Sequence, residues 1–164
     1  MKKIFIIIVV LAVGFTSCDM KDDYENEMSK VVDASGEWYV QYGISLDTLD
    51  VDGLGHLELL TYNTAADDNT MWITDNGKFW NYKVKVDVDV ENLTFSGDAA
   101  SVVPSYNINI KITNGKIFKG VKLMPSGAYT DSISFNIVFE DDAAATTYLA
   151  TGYRHTGFSE DAVN

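Results

Sequence analysis

One stretch constrains this chain more than any other. From Trp80 to Val90 apolar and polar side chains alternate without a break, with Trp80, Tyr82, Val84, Val86, Val88 and Val90 set against Asn81, Lys83, Lys85, Asp87 and Asp89. A helix would scatter those apolar groups round its axis, whereas a strand places alternate residues on opposite faces. The stretch therefore reads as one long strand with a dry face and a wet one. Tyr106, Ile108, Ile110 and Ile112 alternate with Asn107, Asn109, Lys111 and Thr113, and Ile133, Phe135, Ile137 and Phe139 repeat the pattern.

Turn chemistry divides these runs. Asn76-Gly77 and Asn114-Gly115 both favour type I′ turns, because Asn and Gly tolerate positive φ, and each predicts a tight hairpin. Pro125-Ser126-Gly127 predicts a further turn, with proline presetting its φ, and Pro104 suits a strand start or edge. Candidate strands fall near 36–43, 56–62, 70–75, 78–90, 93–97, 106–113, 116–124, 131–140 and 146–154. No long stretch carries helical periodicity, and residues 64–69 and 141–145 allow one helical turn each.

Eight or nine antiparallel strands joined by hairpins can close as an up-and-down barrel or pack as a sandwich. A barrel is the expectation, because a strand as long as 78–90 suits a tilted, coiled wall and closure removes exposed edges. With about eight strands, the interior either fills with side chains or holds one small ligand.

The N-terminus carries a different signal. Lys2 and Lys3 precede an unbroken apolar run, Ile4 to Val13, that is too short to span a bilayer and reads as a secretory signal. Gly14-Phe15-Thr16-Ser17-Cys18 resembles a bacterial lipobox, which implies cleavage before Cys18 and acylation of that residue, palmitate included. Each buried CH₂ contributes about 0.8 kcal/mol, so two or more acyl chains would anchor the protein to a membrane. Cys18 is the single cysteine, so the domain has no internal disulfide and depends on its core.

Residues 1–17 are thus a signal peptide, 18–31 a lipidated cysteine and acidic linker, and 32–164 one barrel domain. Lys21-Asp22-Asp23 is either a charged spacer or, by resemblance, the surface-export signal of lipoproteins in some gut Gram-negative anaerobes. Cleavage after Ser17 leaves 10 basic against 24 acidic groups and takes the formal charge from -12 to -14. So acidic a protein disfavours nucleic acid and anionic headgroups as partners. The remaining length suffices for one domain that buries about two-thirds of its unfolded surface.

Several motifs together resemble a known family. Gly36-Glu37-Trp38, Thr61-Tyr62-Asn63-Thr64-Ala65, Met71-Trp72-Ile73, Phe79-Trp80, Asn114-Gly115-Lys116-Ile117, Pro125-Ser126-Gly127, Asp131-Ser132-Ile133 and Gly152-Tyr153-Arg154-His155-Thr156-Gly157-Phe158 are similar to the bacterial "lipid-binding putative hydrolase" lipoproteins. The resemblance covers about residues 32–161 and implies an all-β, lipocalin-like (calycin) barrel. By the lipocalin analogy, Arg154 lies across the Trp38 ring and closes one end of that barrel, a cation–π contact worth about 0.5–2 kcal/mol. The alternative is that Trp38 is plain core and Arg154 plain surface.

The sequence assigns no catalytic residue, metal ligand or cofactor. It has no Gly-x-Ser-x-Gly elbow. His56 and His155 read as strand-end residues, although Ser126 or Ser132 could meet one of them in space. Asp47-Thr48-Leu49-Asp50-Val51-Asp52-Gly53 misses the carboxylate positions of a calcium loop by one residue and reads as a solvated turn.

The dry face remains. Trp80, Tyr82, Val84, Ile108, Ile110 and Phe135 are expected to point into one volume, which is either an apolar ligand site or a filled core. The leading expectation is an outer-membrane-anchored envelope lipoprotein, open to surface exposure, whose barrel holds a lipid or other small apolar molecule. The alternatives are a structural subunit of a surface nutrient-uptake assembly and an esterase-like hydrolase.

Overall fold

A computed structural model describes residues 28–163. The segment expected to be a signal peptide, Cys18 and the part of the expected linker up to residue 27 lie outside the described residues. Eight strands form a closed antiparallel barrel in sequence order: β1 (Gly36–Gly43), β2 (Leu57–Asn63), β3 (Thr70–Thr74), β4 (Lys83–Asp89), β5 (Thr94–Ala100), β6 (Asn109–Leu123), β7 (Tyr129–Phe139) and β8 (Tyr148–Arg154). β8 closes on β1, with Trp38 opposite Arg154 and Gly43 opposite Leu149. Single 3₁₀ turns at Val32–Ala34, Leu46–Thr48 and Ser159–Asp161 are the helical elements among the described residues. None of these is long and apolar enough to cross a membrane.

The period-two runs become wall strands with a buried inner face. In β4 Val84, Val86 and Val88 are buried while Lys85, Asp87 and Asp89 are exposed. Trp38, Leu59, Met71, Ile73, Tyr82, Val84, Ile110, Ile133 and Ile137 have no solvent exposure. Burying a side chain of this size stabilises by about 1.5–3 kcal/mol, so this filled core holds the barrel together.

Two turn expectations are corrected. Asn114-Gly115 makes no hairpin, and the two strands expected on either side of it are one strand, β6. Asn114 takes the left-handed φ of 54° inside a bulge, where the β6–β7 register shifts between Thr113 and Lys116. Gly115 is required for space rather than for a turn, since a Cβ there would stand 2.3 Å from the Phe95 ring. Asn76 and Gly77 do adopt positive φ, 51° and 76°. The chain, however, does not return to the sheet until Lys83, because residues 75–82 form a loop and Asn81 at φ 52° breaks the alternation.

The barrel has two unlike ends. At the base, where β1 begins, the turns 64–69, 90–93 and 124–128 are short. At the mouth lie the longer connections 44–56, 75–82, 101–108 and 140–147.

Candidate functional site at the barrel mouth

The mouth is organised by one carboxylate. Asp75 follows the last residue of β3 and is fully buried. Its Oδ1 accepts from the backbone N–H of Gly77 at 3.0 Å and of Tyr82 at 3.1 Å, and its Oδ2 accepts from Phe79 and Trp80, each at 2.8 Å. Four donors compensate a charge that would otherwise be costly to bury. The loop wraps that carboxylate, so consecutive rings, Phe79 and Trp80, are both turned over the barrel end.

Those rings complete an aromatic plug. Phe79 stacks on Tyr42 with centroids 4.2 Å apart, and Trp80 stacks on Phe139 at 4.5 Å with planes 7° apart. Tyr148 meets Phe79 edge-on at 5.2 Å, and Tyr82 meets Phe139 at 5.6 Å. Beneath them the Tyr42 and Tyr82 hydroxyls share a buried hydrogen bond of 3.1 Å. Burial, reinforced by the negative charge of Asp75, pushes both phenols well above the ordinary tyrosine value. They are neutral hydrogen-bonding groups at any physiological pH.

Around this plug the rim is apolar. Ile44, Leu46, Val51 and Leu54 on the 44–56 loop and Val102 on the 101–108 loop are all exposed. Between Tyr42, Val51, Leu54, Leu57 and Phe79 lies a cavity of about 10 Å³. That volume is barely enough for one water molecule.

The residues expected to line an interior ligand site are distributed as follows. Tyr82, Val84, Ile110 and Phe135 sit in the packed core, each no more than 1% exposed. Trp80 and Ile108 are partly buried and pack against that core from the mouth loops. The sequence reading missed Asp75, Phe79 and Asp141. Their signals are faint: an Asp before Asn-Gly, an aromatic on what looked like the wet face, and an acid in a loop.

At the base the Arg154 guanidinium carbon lies 4.6 Å from the centre of the Trp38 ring. Arg154 donates to the carbonyls of Ser35 at 2.6 Å and Asp33 at 3.1 Å, tying the N-terminal segment to the barrel. Asp131 Oδ2 stands 3.1 Å from Arg154 Nε as a charge contact rather than an aligned hydrogen bond. Trp38 donates its indole N–H to Thr61 at 2.9 Å.

Both histidines lie on the outer wall. His155 Nδ1 is 3.4 Å from Glu37, and its ring meets Tyr39 edge-on; His56 packs on Tyr153. Ser126 donates to Asp161 at 2.8 Å and Ser132 to the Gly152 carbonyl at 2.5 Å, so neither serine is bonded to a histidine. Asp50 of the acidic loop accepts from the Gly55 N–H at 2.7 Å. Among the described residues no three metal-ligating side chains converge.

A family model described as "Lipid-binding putative hydrolase" matches residues 23–159, most of the chain. No curated protein matches.

Proposed function

Because this chain belongs to the lipid-binding putative hydrolase family, we propose that it is a lipid-anchored envelope lipoprotein that takes a lipid or other small apolar ligand at the barrel mouth. The family and the closed barrel support lipid binding. The observation that carries the location is the aromatic plug of Tyr42, Phe79, Trp80 and Tyr148 ringed by exposed Ile44, Leu46, Val51 and Leu54. Apolar side chains around an opening of this kind suit an acyl chain.

The small cavity beside Phe79 is where the chain begins to enter. It must widen, and the segment that yields is the 44–56 loop. That loop is held to β1 by the Val51 N–H to Tyr42 carbonyl bond of 3.0 Å and a bridge between Gly43 and Leu49. The anchor at Cys18 keeps the barrel beside a membrane, from which such a ligand would come.

The test is native mass spectrometry of the mature chain purified without detergent, followed by titration of delipidated protein with a fluorescent fatty acid. Co-purified lipid, and binding abolished by Leu54→Asp but retained in Val121→Asp near the base, are the expected results. A bare mass with no fatty-acid binding would end the reading. The anchor has its own test, in which palmitate labelling of the protein in cells disappears in Cys18→Ser.

One observation favours a second reading, that of a subunit in a surface assembly. The β6–β7 hairpin exposes Phe118, Val121, Leu123 and Tyr129, with Leu123 and Tyr129 directly opposite each other. A photo-crosslinker at Leu123 that captures one defined envelope protein, while one at Leu54 does not, is the outcome that reading requires.

A further inference from the structure

Outside the plug, on the mouth face, lies an open groove of about 400 Å³ lined by Gly77, Phe79, Trp80, Asn81 and Tyr106. Three of these five residues are aromatic and none is cationic. Trp80 and Tyr106 are distant in sequence and come from different loops, 75–82 and 101–108. A third loop joins them at Asp141, whose Oδ1 accepts the Trp80 indole N–H at 2.9 Å and whose Oδ2 accepts the Tyr106 hydroxyl.

Asp141 is exposed, and among the described residues it has no lysine, arginine or histidine within ion-pair distance. Its neighbours are occupied differently. Glu140 accepts from the Asn109 N–H at 2.6 Å, and Asp142 accepts from Ala144 and Thr146 at 3.0 and 2.9 Å. Asp141 is the acid of this run that is bonded to both aromatic groups of the groove, the Trp80 indole and the Tyr106 phenol.

We propose that this groove binds an organic ammonium group, such as the trimethylammonium or primary amine of a lipid headgroup or of a free small amine. The inference rests on the lipid reading for the source of the ammonium and on the groove for its recognition. A ring face attracts a cation through its quadrupole, and indole is the strongest of the natural rings. A carboxylate that accepts the indole N–H and the phenol O–H pushes electron density into both rings, which deepens that attraction. Among the described residues the same carboxylate has no cation of its own.

The competing chemistries fit less well. An anion would meet the negative charge of Asp141, which is bonded to two of the lining rings, on a chain of formal charge -12. A neutral apolar group would gain from the rings but nothing from the carboxylate. An ammonium gains from both, and a choline headgroup there would leave its acyl chains beside Phe79, which also bounds the cavity at the plug.

The experiment uses the full mature chain and three probes: choline, ethanolamine and 3,3-dimethylbutan-1-ol, the uncharged isostere of choline. Binding is read by calorimetry and by the indole N–H resonance of Trp80, assigned among three tryptophans with Trp80→Phe. The expected result is that choline shifts the Trp80 signal and binds at least about tenfold more tightly than the isostere. Asp141→Asn should weaken choline binding by about tenfold, and Tyr106→Leu should do the same. Both positions lie on surface loops, and an unchanged melting temperature confirms that each variant is folded. Equal binding of choline and the isostere, an unaffected Asp141→Asn variant, or no binding of any probe would overturn the proposal.

Short-chain lipids separate this inference from the reading beneath it. Retention of diacylglycerol as tightly as phosphatidylcholine would sink the ammonium site and leave lipid binding standing. Choline binding without retention of any lipid would do the reverse.

Discussion

Arg154 and Trp38 face each other as register partners across the seam where β8 closes on β1, and the guanidinium carbon lies 4.6 Å above the indole centre. Gly36 makes room for this contact. A Cβ at that position would stand 2.9 Å from an Arg154 nitrogen. The Gly-x-Trp that opens the first strand and the arginine that ends the last one are therefore parts of a single closure.

Replacing Arg154 should loosen that closure and release the segment before β1. Arg154→Met removes the cation–π contact and the bonds to the Ser35 and Asp33 carbonyls. The expected cost is about 2–4 kcal/mol in urea unfolding. Arg154→Lys should recover less than half, because an ammonium cannot reproduce the planar fork. A loss below about 0.5 kcal/mol for Arg154→Met would show that the seam is held by the sheet alone.

Asp75→Asn should free the plug without unfolding the barrel. An amide offers one good acceptor oxygen where the carboxylate takes four N–H groups. Stability should drop by about 2 kcal/mol. Hydrogen exchange should accelerate at Gly77, Phe79, Trp80 and Tyr82 while the amides of β6 and β7 stay protected. Uniform acceleration over the whole wall would contradict a role confined to the loop.

Alkaline pH should unfold the protein through its buried phenols. Tyr42 and Tyr82 keep their protons in the fold well above the ordinary tyrosine value, chiefly because they are buried. In the unfolded chain they ionise near pH 10. Below that pH both states are protonated and the pair adds no pH dependence. Above it the unfolded chain sheds protons that the fold retains, so stability falls as pH rises. Tyr42→Phe should flatten that fall and, by leaving the Tyr82 hydroxyl without its partner, cost about 1 kcal/mol at neutral pH. An unchanged slope between pH 10 and 12 would rule the pair out as its source.

Gly115→Ala should be destabilising by about 1–3 kcal/mol, since the added methyl meets the Phe95 ring and carbonyl at 2.3–2.4 Å. Combining it with Phe95→Leu should restore part of the loss. A neutral Gly115→Ala would mean that the β5–β6 contact is looser than these distances require.

The alternation in Trp80–Val90, Tyr106–Thr113 and Ile133–Phe139 was enough to determine an all-β wall with a dry face, whereas the number of strands and their closure as a barrel rather than a sandwich were decided by the tertiary structure. The alternation is local information, because each side chain's face follows from its parity along the strand. What Asn114-Gly115 means was not local. The same dipeptide serves a hairpin or a bulge, and the Phe95 ring, arriving from the neighbouring strand, decides between them. The filled interior was likewise a matter of tertiary structure, since the same dry face lines a cavity or a core according to how the rings interlock. The mouth depended on it most of all. Asp75 becomes a hub only when four amides of one loop fold back on it, and Trp80, Tyr106 and Asp141 meet only because three loops end at the same rim.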